Sequence, residues 1–343
     1  MILVTGATGL LGAHLALHLT ESGLSIKALY REKSAIEKTK ALFKMYGKEA
    51  LFAKIIWTLG DITDIPALEI AFENIDYVYH CAAKISFDPR DEELLRKTNI
   101  EGTANIVNFC LAKNIKKICF VSSIAALGDL PEHNYKERNT DSRKIINEET
   151  DWNPEKPHSD YAISKYGAEM ELWRGQQEGL EILIVNPGVI LGPVPKSWNR
   201  NEGSYNLISK VAKGLHYYAL GTTGFVGVSD VVKCMMQLMN SNAHGDRYIV
   251  VSENLSYQTI TTLIAQQLKV APPRKEVTRW MTKIAWRWDW IAANVFFQKR
   301  QFTKAIAKSV HTKDVYSSDK IQKELNFHFT PMEQVIEQIA KKY

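Results

Sequence analysis

Short apolar runs alternate with helix-period stretches through the first half of the chain. Strands are predicted at Ile2–Thr5, Ser25–Tyr30, Lys54–Leu59, Tyr77–His80, Lys117–Val121 and Glu181–Asn186. Helices are predicted at Leu10–Glu21, Lys33–Tyr46, Ile65–Phe72, Asp91–Lys113 and Asp160–Glu178. That alternation implies right-handed crossovers, and so an α/β fold with a doubly wound parallel sheet covered by helices on both faces. After Pro187 the rhythm changes. Loops rich in Gly, Pro, Asn and Ser (Gly192–Gly203, Gly221–Gly227) precede helices and one or two short strands such as Tyr248–Val251. Residues 1–186 are therefore read as the domain that carries the parallel sheet and residues 187–343 as a smaller, mostly helical lobe. The stretch at about 225–245 is expected to rejoin the sheet, because Ser229–Met239 has a helical pattern.

Composition narrows the class. At 45% hydrophobic and 24% charged residues the chain is an ordinary globular one, without the bias of a disordered protein. Met1-Ile2-Leu3-Val4 runs directly into a glycine turn, which argues against a targeting peptide. No uncharged run reaches the roughly 18 residues of a membrane span. A cytoplasmic protein is the expectation. Cys81, Cys110, Cys119 and Cys234 have no CxxC spacing, so they are read as small core residues and no metal is expected. The net charge is +5, and between Arg274 and Lys308 cations outnumber acids nine to two. Such a segment can meet nucleic acid or anionic lipid, but it is more commonly the wet side of helices. No nucleic-acid module accompanies it, so no nucleic-acid partner is expected.

Thr5-Gly6-Ala7-Thr8-Gly9-Leu10-Leu11-Gly12 follows the first strand and opens the first helix. Gly6 permits a tight turn, Gly9 lets a pyrophosphate approach the backbone, and Gly12 lets helix and strand pack closely. The helix start then offers free N–H groups to phosphate. At the end of the second strand, Tyr30-Arg31 stands where an acid would hold an NAD ribose. NADP(H) is therefore preferred, with NAD(H) possible. Glu32 is the counter-argument, read here as a cap for the next helix.

Tyr161 and Lys165 lie four apart on one face of a helix whose expected N-cap is Ser159. A nearby ammonium and the helix N-terminus both favour a phenolate, which would suit a tyrosine for proton transfer. Upstream, Ser122-Ser123 closes the fifth strand, and a hydroxyl there can bond a substrate carbonyl. Loop capping is the plain alternative for this serine pair.

Taken together, these segments resemble the extended short-chain dehydrogenase/reductase family, part of the NAD-dependent epimerase/dehydratase superfamily. The motifs are TGATGLLG at Thr5–Gly12, GDITD at Gly60–Asp64, HCAA at His80–Ala83, NIEGT at Asn99–Thr103, VSSIAALG at Val121–Gly128, YAISK at Tyr161–Lys165 and NPGVILGP at Asn186–Pro193. The resemblance implies a Rossmann-type sheet with a C-terminal substrate lobe, and a homodimer. It implies catalytic roles for Ser123, Tyr161 (acid/base), Lys165 (ribose contact and tuning of Tyr161) and Asn99. For the cofactor it implies contacts from Gly6, Thr8, Gly9, Leu10, Leu11, Gly12, Tyr30 and Arg31. Further contacts would come from Asp61 and Ile62 at the adenine, from Ala82, Ala83 and Lys84, from Tyr161 and Lys165, and from Pro187 and Gly188 at the nicotinamide. His80 is read as a core histidine.

Departures from the pattern select among branches. Ser123-Ile124-Ala125 lacks the Thr-Asp-Glu run of sugar-nucleotide dehydratases, and Thr222–Asp230 lacks the arginine clamp of the epimerases. The chain is most similar to the dihydroflavonol 4-reductase and 3β-hydroxysteroid dehydrogenase branch. This implies a carbonyl reductase with a hydrophobic small-molecule substrate. The alternatives are a nucleotide-sugar epimerase/dehydratase with tightly bound NAD and, below it, a non-catalytic NADP-binding regulator. Substrate choice is expected in loops Gly128–His158 and Pro193–Gly203. Trp280–Trp290 holds four of the eight tryptophans. Core packing with Lys/Arg outside is the favoured reading there, over a pocket roof or a membrane-surface helix.

Overall fold

The computed structural model describes residues 1–128, 145–199, 203–295, 300 and 302–343. Residues 129–144 and 200–202 of the two expected substrate loops, and residues 296–299 and 301 of the basic segment, lie outside the described residues. In chain order the principal strands are β1 (Ile2–Thr5), β2 (Ile26–Tyr30), β3 (Ile56–Leu59), β4 (Tyr77–His80) and β5 (Lys117–Val121). There follow β6 (Ile182–Pro187), β7 (Val189–Leu191), β8 (Thr222–Gly227), β9 (Asp246–Val250) and β10 (Glu253–Ser256). Seven of them form one parallel sheet in the order β9-β6-β5-β4-β1-β2-β3. Strand order reverses at β1, so a crevice opens above the carboxyl ends of β1 and β4. This is a Rossmann-like doubly wound sheet, as the alternation predicted.

Period-two alternation fills both faces. Ile2, Val4, Leu183 and Val185 enter one buried cluster with Leu15 and Leu19 of the Leu10–Glu21 helix and Val231 and Met235 of the Val228–Asn240 helix. Leu3, Ile182 and Ile184 point the other way, toward Ile106 of the Gly102–Ala112 helix and Leu172 of the Asp160–Gln177 helix. The inner strands β1 and β6 are buried throughout, as parallel strands covered on both faces must be, whereas Ile56 and Leu59 of β3 are exposed at the sheet edge. A second, three-stranded sheet (β10-β8-β7) has its own core, with Phe225, Ile260, Ile264 and Ile336.

Two sequence expectations need correction. The helix predicted over Asp91–Lys113 is broken into Glu92–Leu95, a π-helical turn Arg96–Glu101, and Gly102–Ala112. The extra residue of a π turn leaves the apolar spacing on either side looking helical, so periodicity does not reveal it. Glu32 does occupy the N-cap position of the Lys33–Met45 helix, but its carboxylate makes no capping hydrogen bond.

Among the described residues, two histidines are fully buried. His14 shares hydrogens with the Leu10 carbonyl (2.8 Å) and the Tyr46 hydroxyl (3.3 Å), and burial pushes its imidazole down to about 4. His80 is pushed down to about 3, by burial first and the Lys165 charge second. In the unfolded chain both bind a proton as pH falls below the ordinary 6.5, while the fold keeps them neutral further down. Stability is therefore whole above pH 6.5 and drains as pH falls through the window toward 4. At about pH 5 the expected loss is roughly 2 kcal/mol per histidine, read as a lower denaturant midpoint than at neutral pH. An unchanged midpoint would contradict it.

Candidate active site

The glycine turn is built by contact, not only by flexibility. Gly6 has φ +70°, and a Cβ there would lie 2.7 Å from the Ala82 nitrogen and the Cys81 carbonyl carbon. A Cβ on Gly12 would lie 2.2 Å from the Gly6 oxygen. Gly9 caps the first helix from an extended conformation with no side chain over the helix start. The turn thus lies close under β4 while the amides at the helix N-terminus keep their donors for an anion. Thr39 ties the turn from outside, donating its hydroxyl to the Ala7 carbonyl at 3.0 Å.

One cleft gathers most of the residues predicted for the cofactor. Gly6, Thr8 and Gly9 line it with Tyr30, Arg31, Asp61, Ile62, Ala82, Ala83 and Lys84. Arg31 is 71% exposed and reaches Asp61 at 3.5 Å across neighbouring strand ends. Asp61 also accepts from the Thr63 amide (2.9 Å) and hydroxyl (2.8 Å), so the turn role is real too. Burial pushes its carboxyl upward, but the Thr63 donors and Arg31 outweigh that and hold it below the usual carboxylate range. Leu10, Leu11 and Gly12 are not among the residues that line the cleft, and the Leu11 side chain is in the core. Pro187 and Gly188 stand at the carboxyl end of β6, where Gly188 donates its amide to the Val250 carbonyl at 3.1 Å. The Gly-turn cradle and the open helix start suit a dinucleotide pyrophosphate.

A directed chain of hydrogen bonds runs along one wall of the cleft. The Ala82 amide donates to Thr5 Oγ1 (3.2 Å), which faces His80 Nδ1 (2.7 Å); His80 Nε2 faces Thr103 Oγ1 (3.1 Å), which donates to the Asn99 carbonyl (2.6 Å). Only a neutral imidazole, protonated at Nε2, satisfies that order. His80 is a satisfied core residue whose partners frame the site. Asn99, inside the π turn, accepts from the Lys84 amide (2.7 Å) and donates to the Lys84 carbonyl (2.9 Å) and to Ser164 Oγ (2.9 Å). It clasps the cleft edge to the helix that carries Tyr161 and Lys165.

Ser159 caps that helix, accepting from the Ala162 amide at 3.2 Å. Ser123 caps the short turn Ile124–Ala126, accepting from the Ala125 amide at 3.1 Å, which is the loop-capping role, and it stands beside the Tyr161 hydroxyl. Burial pushes the Tyr161 phenol up to about 12, with the Ser123 bond pulling the other way. The Lys165 amine donates to the Val121 carbonyl at 2.8 Å and lies 4.2 Å from the centre of the Phe120 ring. Burial brings it down to about 7, against the pull of Glu169 and Cys81. The expectation that an ammonium one turn away lowers the phenol is thus corrected. Burial penalises the charged forms of both groups, and the amine is turned to the strand end.

Several residues at the site escaped the sequence reading. Glu169 is wholly buried; it accepts from Asn186 Nδ2 (2.6 Å) and lies 3.5 Å from Arg247. Asn186 also donates to the Ser123 carbonyl at 3.0 Å, which fixes the backbone of that serine. Continuing the four-residue spacing from Tyr161 through Lys165 would have reached Glu169. Phe87 packs edge-on to Tyr161, ring centres 5.8 Å apart, and had no local signal.

The family model of the NAD dependent epimerase/dehydratase family matches residues 2–251. The chain belongs to that family. Among relatives of this epimerase/dehydratase-family chain is the sterol demethylase protein B of Methylococcus capsulatus, 28% identical over 254 residues, 74% of this chain and 70% of the relative. Anthocyanidin reductase of Arabidopsis thaliana is 28% identical over 281 residues, 77% of this chain and 79% of the relative. Proteins named dihydroflavonol 4-reductase and cinnamoyl-CoA reductase are further relatives, so the resemblance to extended short-chain dehydrogenase/reductases holds. The crystal structure of gox2253 matches with a TM-score of 0.78 and 26% identity, over 100% of this chain and 97% of that one. Family and relatives support an NAD(P)-dependent oxidoreductase with a nicotinamide dinucleotide cofactor. Among the described residues no helix is long and apolar enough to cross a membrane.

Proposed function

We propose that the protein is an NADPH-dependent reductase of a ketone or aldehyde on a hydrophobic small molecule. The observation that carries this reading is Tyr161 one helical turn from Lys165 and beside Ser123 just past the end of β5, with a phenol that burial pushes further above its ordinary value. A neutral phenol is a proton donor, so the pair suits reduction better than alcohol oxidation at neutral pH. The Ser123 oxygen accepts from the Ala125 amide, which leaves its O–H to bond a substrate carbonyl oxygen and stabilise charge there. Tyr161 then gives its proton to that oxygen. When bound, NADPH supplies the hydride. Asn99 orients Lys84 and the Ser164 turn, and Lys165 offers a donor beside the strand end for the nicotinamide ribose. The helix start at Gly9–Gly12 holds phosphate, Asp61 and Ile62 the adenine, and Pro187–Gly188 the carboxamide side. The sheet, completed by β9 and the Val228–Asn240 helix, carries the cofactor, and the lobe built on β7, β8 and β10 covers the substrate.

Support for an apolar substrate comes from Ile85 and Phe87, exposed on the loop beside Tyr161, and from relatives named for sterol and anthocyanidin chemistry. The test is NADPH oxidation over a panel of ketones, aldehydes and flavanone-like compounds, with NADH alongside. Absence of turnover across the whole panel counts against the reading.

Arg31 decides the cofactor preference in this proposal. Exposed and only 3.5 Å from Asp61, it can turn its guanidinium to a 2′-phosphate. Arg31→Ala is expected to narrow the ratio of NADH to NADPH dissociation constants by about tenfold. Equal or tighter NADH binding by the unaltered protein would remove the preference.

A further inference from the structure

The Arg279–Val295 helix is not packed as its sequence suggested. Trp280 (63%), Ile284 (44%), Trp288 (67%), Ile291 (40%) and Val295 (60%) are exposed. At 100° per residue they fall on one continuous stripe about 80° wide. Arg279, Lys283 and Arg287 follow each other at four-residue spacing along one border of the stripe, with the exposed Trp290 between them. The opposite side of the helix is fastened down. Thr282 and Ala293 are buried, and Thr282 Oγ1 lies 3.1 Å from His311 Nε2. The one acid of the helix, Asp289, is turned inward and accepts from Arg300 Nε and the Phe302 amide, each at 3.2 Å.

From this placement we propose that the Arg279–Val295 helix is a docking surface for an anionic lipid bilayer. Apolar side chains would sink into the headgroup region, indoles would sit at the polar boundary, and the basic border would meet lipid phosphates. Charge decides the occupant. The exposed face bears cations and no acid, so a second copy seated on it would bring basic borders together without a neutralising partner from this helix. An anionic lipid surface complements it. Arg300 also donates its amide to Asp88 at 2.9 Å, and Asp88 adjoins Phe87, which packs on Tyr161. The inward side of the helix is thus linked through Arg300 to the loop that carries Phe87, beside Tyr161. The proposal stands on the helix itself and does not depend on which carbonyl compound is reduced.

Co-sedimentation of the full chain with vesicles tests it. The protein should pellet with equimolar phosphatidylcholine and phosphatidylglycerol and far less with phosphatidylcholine alone. Lys283→Gln with Arg287→Gln should lower partitioning into the mixed vesicles about 25-fold, about fivefold for each cation. Trp280→Ser with Trp288→Ser should bring the pelleted fraction to background, while the thermal midpoint and NADPH binding of both variants match the unaltered protein. Protein that stays in the supernatant with both vesicles overturns the proposal, as does equal binding to both lipids. A tryptophan variant that turns a lipid-free dimer into a monomer in sedimentation velocity, with no vesicle binding to lose, overturns it in favour of contact between copies.

Discussion

Tyr161→Phe is expected to cut reductive turnover by about three orders of magnitude and to leave NADPH affinity close to that of the unaltered enzyme. The substitution keeps the ring, and with it the edge contact to Phe87 at 5.8 Å, and removes only the hydroxyl. What disappears is the phenol beside Ser123, a proton donor whose hold on its proton burial strengthens to about 12. An alkoxide formed from a carbonyl is a far stronger base than this phenolate, so donation runs downhill. The remaining serine hydroxyl can bond the oxygen but has to take any replacement proton from solvent. Single-turnover rates with a ketone substrate, together with a fluorescence titration of NADPH, separate the two effects. A variant that turns over normally would remove Tyr161 from the chemistry; one that loses NADPH binding would show instead that the hydroxyl helps to hold the cofactor.

Gly12→Ala comes next in expected size, and it acts through backbone, not chemistry. The added methyl would stand 2.2 Å from the Gly6 oxygen and 2.7 Å from the Gly6 carbonyl carbon, neither of which is a flexible side-chain end. The helix has to retreat from the turn, at a cost of about 3 kcal/mol. As it retreats, the amides at the helix start lose their aim on the pyrophosphate, and the dissociation constant of NADPH should rise about tenfold or more. Gly47→Ala makes the control. Gly47 also has a positive φ (+68°) but open space around its Cα, so it should lose about 1 kcal/mol and leave cofactor binding alone. Denaturation midpoints and NADPH titrations on the two variants give the comparison. Equal effects from both would mean that close packing at Gly12 is not what matters.

The sheet was readable because each strand is short, apolar and bounded by polar turns. Burial on both faces writes such runs directly into the sequence, as in Ile2–Thr5 and Ile182–Pro187. The glycine turn and the Tyr161–Lys165 spacing were readable for a similar reason: each is local, and a fixed offset along a helix or turn carries the geometry. What escaped reading was non-local or depended on burial. The Asp61 partner of Arg31 lies at another strand end, thirty positions away. The ordinary 3.6-residue pattern on both sides conceals the π turn around Asn99. Spacing puts Tyr161 and Lys165 on one face of their helix, but it does not reveal that the amine turns to the Val121 carbonyl or that burial raises the Tyr161 phenol. The tryptophan helix misled for the opposite reason. A stripe of apolar residues at helical spacing looks the same whether it faces a core or is left bare, and only the fold around it distinguishes the two.

The π turn at Arg96–Glu101 spends one residue more than an α-helix would over the same stretch. Deleting a residue there would let Glu92–Ala112 close into an uninterrupted helix with better-formed backbone bonds, yet it would swing position 99 by about 100° around the axis. Lys84 and Ser164 would then lose the amide that joins them. Chain length at this point is thus constrained independently of residue identity: a one-residue deletion would mend the helix and dismantle the wall of the cleft.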